Sequence, residues 1–189
     1  VDWVIQAVND SQRITHAILS SDAPAILDRA TGKVQSHLRA AWAATDEASS
    51  EAVIEEALGA WPLAVDALVL VQPTSPLTEG WQIDEALGDF ERAEADSLVT
   101  VVSAHGFTWI DGKPSYNPFR RPRRQEITHF EETGSFYATT LEQWKATKCR
   151  IGYSVTFYVL PDEHRRQVDT PADLEAVSAL LAARDGVTA

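Results

Sequence analysis

Residues 67 to 103 restrict the fold more than any other stretch. ALVLVQ is a short, continuous apolar run. A polar turn follows it, then WQIDEALGDFERAEA, then a second apolar run, SLVTVVS (97 to 103). Runs of this length bounded by turn signals read as strands buried on both faces. The stretch between them places Ile83, Leu87 and Phe90 on one side of an amphipathic helix. Strand, helix and strand joined by short loops make parallel neighbours in a helix-covered sheet, so the chain is expected to be α/β.

The same rhythm recurs on either side. DWVIQAVNDS carries Trp3, Val4, Ile5, Ala7 and Val8 at helical spacing, and Ala17 to Leu19 read as a strand ending in Ser20, Ser21 and Asp22. APAILDRA reads as a helix with Asp22 as N-cap, and SSEAVIEEAL as a helix capped by its serines. SFYATT and VTFYVLP read as strands flanking the helix LEQWKAT. The last helix opens with Thr170 as N-cap and Pro171 at its first position. Residues 104 to 135 break the pattern. They hold Gly106, Gly112, Pro114, Pro118, Pro122 and four arginines, Arg120, Arg121, Arg123 and Arg124. That composition describes an excursion from the sheet, either a functional arm or a loop.

A length of 189 residues suits one domain, taken as 1–189 with the excursion 104–135 inserted in it. No run of 18 uncharged apolar residues occurs, so no membrane span is expected. The single cysteine, Cys149, rules out an internal disulfide and suits the cytoplasm. A net charge of −12 argues against nucleic acid and membrane surfaces as partners. An anionic ligand then needs a local positive site; the arginine cluster is either that or a solvated basic loop. The chain contains no methionine and opens at VDWVIQAV. It is therefore expected to be the remainder of a longer sequence.

In open α/β sheets, ligands collect at the carboxyl ends of strands. Polar groups stand at such ends at Ser21/Asp22, at Gln72 with Thr74 and Ser75, and at Ser103/His105. Asp169, just before the last helix, reads either as an oxygen ligand for Mg2+ or as a capping aspartate. No GxxxxGK[ST] loop, GxGxxG after a strand or G-x-S-x-G elbow is present, and the five histidines are scattered. Zinc, nicotinamide and covalent serine chemistry all lose ground.

Ordered signposts then appear along nearly the whole chain: VIQAVNDSQRITHAILSSD, Arg39 to Ser50 as R-x6-D-x-A-S-S, LVQPTSPL, SLVTVVSAH, RPRRQE, ETGSFYATT and VDTPADLE. Together they resemble the CMP-sialic acid synthetases, the acylneuraminate cytidylyltransferases. The resemblance implies a three-layer, Rossmann-like, mostly parallel sheet with a protruding dimerisation arm. It implies an enzyme that joins CMP from CTP to the anomeric hydroxyl of an acidic nine-carbon sugar, with Mg2+ assistance and as a homodimer. Arg39, Asp46 and Ser50 would face the nucleotide. Gln72, Thr74, Ser75, Arg124 and Tyr137 would face the sugar. Asp169 and Arg124 would serve catalysis, and Asp169 with Gln167 would hold the metal. The alternatives are a Kdo-type cytidylyltransferase and a non-catalytic sugar- or nucleotide-binding relative.

The resemblance has departures. The family opens with a strand and a P-x-R-x-G-S-K-like triphosphate loop that have no counterpart here. Gln167 stands where the metal motif has its first aspartate, Thr133 where an asparagine precedes Gly134, and Thr78 where an arginine follows PTSPL. The lysine-bearing loop is shortened to HGFTWIDGKP, which leaves Lys113 in its place.

Overall fold

The computed structural model describes residues 1–61, 64–184 and 186. Helix α1 (Asp2–Asp10) is followed by strand β1 (Ala17–Ser21), the one-turn helix α2 (Pro24–Leu27) and strand β2 (Val34–Leu38). Helix α3 (Ser50–Ala60) leads to β3 (Ala67–Val71), α4 (Gly80–Ala93) and β4 (Ser97–Ala104). A hairpin of two-residue strands, β5 (Trp109–Ile110) and β6 (Lys113–Pro114), precedes the long β7 (His129–Thr140). Helix α5 (Leu141–Thr147), β8 (Val155–Val159) and α6 (Pro171–Arg184) complete the order.

The main sheet has the order β3-β7-β4-β8. β7 runs antiparallel to both neighbours and β4 runs parallel to β8, so β3, β4 and β8 share one direction. β1 and β2 form a separate parallel pair. Helices α1 and α4 cover one face of the main sheet. There Ala7, Ile83, Ala86 and Phe90 meet Leu98, Val102, Phe136, Ala138, Tyr158 and Leu160. Ile83, Ala86 and Phe90 recur at one-turn intervals, which is why a single stripe of α4 fills the core. Each large apolar side chain buried in this way contributes about 1.5–3 kcal/mol. On the other face Val99, Val101 and Tyr137 pack with Leu70 and Ile151. Beside them Arg150 pairs with Glu51 at the start of α3 at 3.2 Å. The result is an α/β arrangement of the kind the resemblance implies.

One carboxylate joins α1 to α4. Asp84 accepts from the Ser11 hydroxyl at 2.6 Å and from the backbone N–H groups of Gln12 at 2.8 Å and Arg13 at 3.0 Å. Burial alone would raise its carboxyl, but these three bonds and the Arg13 charge outweigh it and hold Asp84 below the usual carboxylate range.

Several expectations are corrected. Asp22 does not cap α2: the N-cap is Ala23, whose N–H is taken by Ser21 Oγ at 3.1 Å, and the helix lasts one turn before Asp28 ends it. Strand β2 was not anticipated, because VQSHL has one fully buried side chain, Val34, among polar neighbours. β3 is an edge strand rather than one buried on both faces; among the described residues β7 alone pairs with it, and none of its side chains is fully buried. Val71 of β3 packs on the same apolar cluster as Ala17 and Leu19 of β1. The two sheets are thus neighbours, and among the described residues no strand is hydrogen-bonded between them.

The excursion is shorter than 104–135. β4 runs to Ala104 and β7 starts at His129, so the departure from the sheet spans 105–128. Within it the β5–β6 hairpin turns on Asp111 and Gly112, both at positive φ (50° and 75°), where aspartate and glycine are well tolerated. The serine caps held: Ser49 Oγ accepts from Ala52 N at 3.2 Å at the start of α3. Thr170 likewise caps α6, its hydroxyl oxygen accepting from Asp173 N at 3.3 Å while Asp173 accepts from the Thr170 N–H and hydroxyl.

Candidate functional site

The carboxyl ends of β3 and β4 lie along one edge of the sheet, with the first half of β7 between them. At this edge the turn after β3 is tied from several sides. Gln72 N donates to Ser135 O at 3.0 Å, Ser75 N to Gln72 O at 3.1 Å and Thr78 N to Ser75 O at 3.2 Å. The prolines therefore act with a ladder of backbone bonds, and the turn is held rather than merely stiff. The Gln72 side chain is half-buried and has no hydrogen-bond partner among the described residues, so its amide is available to a ligand. Thr74 is engaged by its neighbours, and Ser75 is buried, its hydroxyl unpartnered among the described residues. Of the three expected sugar-side groups in this turn, Gln72 alone presents an unengaged, partly open polar side chain.

Gln167 reaches the same turn from the segment before α6. Its Oε1 accepts from Thr74 Oγ1 at 2.9 Å, and its Nε2 donates to the carbonyl oxygen of Thr133. Next to it, Val168 N donates to Thr74 O at 2.8 Å. The side chain crosses Gly134, which has φ of 69° and where a Cβ would collide with the Gln167 amide. Asp169 is exposed and does not cap α6, since Thr170 does. Both amide atoms of Gln167 are occupied by the protein, Asp169 is a single carboxylate, and no metal-holding group of three acidic, histidine or cysteine side chains occurs among the described residues.

A second cluster forms at the ends of β1 and β2. Arg39 N donates to Ser21 O at 3.0 Å, its Nε to Ser20 Oγ at 3.1 Å and its Nη2 to Ser20 O at 2.6 Å. The guanidinium is thereby fixed along the strand end, with a hollow of about 610 Å3 beside it lined by Asp22, Leu38, Arg39, Ala40, Ala41 and Ala44. Glu56 of α3 holds this segment by accepting from His37 Nε2 at 2.8 Å and Ala40 N at 3.0 Å. Burial would raise the Glu56 carboxyl, but the His37 and Ala40 bonds and the charges of His37 and Arg39 keep it below its ordinary value. Ser50 is the first residue of α3, and Asp46 is exposed in the turn before it. An oriented cation beside a hollow suits a phosphorylated ligand.

Tyr137 and Arg124 lie apart from this hollow. Tyr137 is buried in β7, opposite Leu70 and Val99, and its hydroxyl donates to Glu132 Oε2 at 3.0 Å. The Arg150 guanidinium covers its ring, 4.9 Å from the centroid. Burial, then the Glu132 bond and charge, push the phenol up to about 12. Arg124 lies in a 3-10 turn of the excursion, where its Nε donates to His105 O at 3.2 Å, which holds it beside the end of β4. Arg150, Glu132, Glu56 and His37 did not stand out in the sequence. Each sits singly in an ordinary stretch, and only the fold brings it to a partner.

No family model matches the chain. It is similar to N-acylneuraminate cytidylyltransferase B of Danio rerio, with 30% identity over 186 residues, covering 92% of this chain and 43% of that protein. It is also similar to N-acylneuraminate cytidylyltransferase A of the same fish, with 28% identity over 184 residues, covering 92% of the chain and 42% of the relative. The chain thus spans less than half the length of these curated relatives. Among solved structures, a CMP:2-keto-3-deoxy-manno-octonic acid synthetase complexed with CTP superposes with a TM-score of 0.65 at 16% identity, covering 97% of this chain and 88% of that one. The 4-diphosphocytidyl-2C-methyl-D-erythritol synthase of Anaerococcus prevotii gives 0.64 at 12% identity, covering 95% and 85%. The chain is similar in sequence to the N-acylneuraminate cytidylyltransferases and has the fold of the cytidylyltransferases of known structure.

Proposed function

We propose that this chain is the nucleotidyl-transfer domain of a cytoplasmic cytidylyltransferase that joins CMP to a sialic-acid-like nonulosonic acid. The observation that carries the reading is the sequence similarity to N-acylneuraminate cytidylyltransferases over 92% of the chain. In the proposed reaction the anomeric hydroxyl attacks the α-phosphorus of CTP. A new P–O bond forms, the bond to the β-phosphate oxygen breaks, pyrophosphate leaves, and the hydroxyl proton passes to solvent or a base. Such a step needs positioning and charge neutralisation more than covalent catalysis.

In this reading Arg39 meets the nucleotide beside the hollow at the ends of β1 and β2, and Ser50 and Asp46 meet it from the segment that opens α3. Gln72 reaches sugar hydroxyls, Arg124 meets the sugar carboxylate, and Tyr137 shapes the wall between them. Asp169 is the one expected metal ligand whose carboxylate is open. The exposed arm supports a homodimeric assembly. The test is incubation with CTP, Mg2+ and a panel of nonulosonic acids and Kdo, with pyrophosphate release as readout. Release with a nonulosonic acid is the expected result, and release with Kdo alone would move the substrate to the eight-carbon class. CTP binding without release for any sugar would favour a binding relative, a reading to which the occupied Gln167 amide lends some support. Arg124→Ala is expected to raise the sugar KM at least tenfold, in keeping with the loss of about 1.5–3 kcal/mol from a charge-assisted bond.

A further inference from the structure

We infer that Gln167 is a positioning residue, a neutral clamp that fixes the turn after β3 against the Thr133–Gly134 corner of β7. It does this at a position where the resemblance implies a metal-ligating carboxylate. The significance for catalysis rests on the cytidylyltransferase reading; the clamp itself does not.

The clamp uses both ends of one amide. Oε1 accepts from Thr74 Oγ1 at 2.9 Å and Nε2 donates to the Thr133 carbonyl oxygen. A carboxylate can supply the first contact but not the second, because an ionised acid only accepts and would face the lone pairs of that carbonyl. Asparagine is a methylene shorter and would have to span the same two partners from farther away. The corner itself is fitted to the side chain, since Gly134 has no Cβ in the path of the amide.

Contacts continue inward from the corner. The Thr133 hydroxyl donates to Thr100 Oγ1 at 2.9 Å, and the Thr100 hydroxyl donates to Phe136 O at 2.8 Å, with Thr100 and Phe136 fully buried. On the outer side, Thr74 is gripped twice, by the Gln167 side chain and by the Val168 N–H at 2.8 Å. Thr133 and Gln167, two positions at which the chain departs from the family pattern, therefore meet in space. Together they tie the turn carrying Gln72 to the buried centre of the sheet.

The experiment measures hydrogen-exchange protection in the whole chain for Gln167→Met and Gln167→Glu. Gln167→Met keeps the volume and removes both bonds. It is expected to lower protection of the Val168, Gln72 and Ser75 amides about tenfold, the effect of losing a bond worth roughly 1–1.5 kcal/mol, while Ile83 in α4 is unchanged. Gln167→Glu should lose the same protection at neutral pH and regain it as the introduced acid protonates and can donate to Thr133. Gln167→Met should show no such recovery. Wild-type protection in Gln167→Met, or in Gln167→Glu at neutral pH, would overturn the clamp. In the synthesis assay Gln167→Met should raise the sugar KM and leave the CTP KM and the half-saturating Mg2+ concentration unchanged. A shift in the Mg2+ requirement would assign position 167 to the ion instead. If the wild-type chain released no pyrophosphate, the functional reading would fail while the exchange result still decided the clamp.

Discussion

Tyr137 couples burial to charge on the strand that crosses the site. Its phenol ordinarily titrates near 10, and the fold pushes it up to about 12, through burial first and the Glu132 bond second. A raised folded value means that the contribution to stability is complete below the unfolded value. It is lost as pH rises from about 10 through the folded value near 12. Tyr137→Phe is therefore expected to cost about 1 kcal/mol at neutral pH and to flatten the alkaline decline of the melting temperature. Part of that decline will remain, because burial and Glu85 also raise the Tyr158 phenol. An identical alkaline profile in wild type and variant would contradict this. Gly134 gives a second residue-level test. Gly134→Ala adds a Cβ at φ of 69° and against the Gln167 amide, two penalties of roughly 1 kcal/mol or more each. In a Gln167→Ala background the steric penalty should vanish and the strain remain, so the double-mutant cycle should show coupling; simple additivity would mean that the amide does not lie there. At this scale the sequence made Gln72 visible because it follows a strand, whereas Arg39, at the end of the unanticipated β2, was visible only through the resemblance. It could not show that the Gln167 amide is already occupied, since the partners, Thr74 and Thr133, lie far away in the chain.

Helices with a strong apolar stripe were legible as elements. α1 and α4 fall where their spacing puts them, and Thr170 and Ser49 cap as their residue types suggest. What failed was anything decided by neighbours. APAILDRA has helical spacing but closes after one turn, with a backbone N–H already satisfied by Ser21. β2 escaped notice because a strand paired on one side needs few apolar residues. β3 carries the composition of a central strand yet is an edge in the sheet order, a property that composition does not encode. The junction of α1 and α4 is the element-level feature with the clearest energetic consequence. Asp84→Ala leaves the Ser11 hydroxyl and the N–H groups of Gln12 and Arg13 without their acceptor, at a cost of about 2–3 kcal/mol. For a chain of this size that lowers the melting temperature by roughly 4–12 °C. Because the Asp84 carboxyl is held below its ordinary value, its contribution is present above the unfolded value near 3.9 and fades as pH falls through the folded one. The variant should accordingly melt with a shallower acid slope. A slope equal to that of the wild type would mean that Asp84 is not the titrating link.

At the scale of the whole molecule, charge and exposed apolar surface are segregated in a way that bears on assembly. The sequence marked the excursion by its prolines and arginines, and it also carries the aromatics Phe107, Trp109, Tyr116 and Phe119. Three of these aromatics close on one another. Phe107 and Tyr116 meet at a tilt of 58° with centroids 4.7 Å apart, Trp109 meets Tyr116 edge-on at 6.5 Å, and the Arg121 guanidinium lies 3.9 Å over Phe107. That internal cluster was invisible in the sequence because the β5–β6 hairpin brings its members together. Phe119 is left 94% exposed, and on the edge strand β8 the side chains of Phe157 and Val159 remain about half exposed, with Phe130 against Phe157 at 5.5 Å. Between Lys113 and Gln125 the excursion carries five cations and no carboxylate, while the chain as a whole carries −12. A basic, apolar-tipped projection on a strongly acidic body is attracted to a second copy of the same body. Sedimentation at micromolar concentration should therefore show a dimer. The dimer should weaken in about 0.5 M salt, where the Debye length falls to a few ångströms. Phe119→Glu adds charge where an apolar contact is proposed and does not touch the internal aromatic cluster. It should give a folded monomer whose cooperative melting no longer depends on protein concentration. A monomeric wild type, or a Phe119→Glu variant as dimeric as the wild type, would remove the projection from the interface.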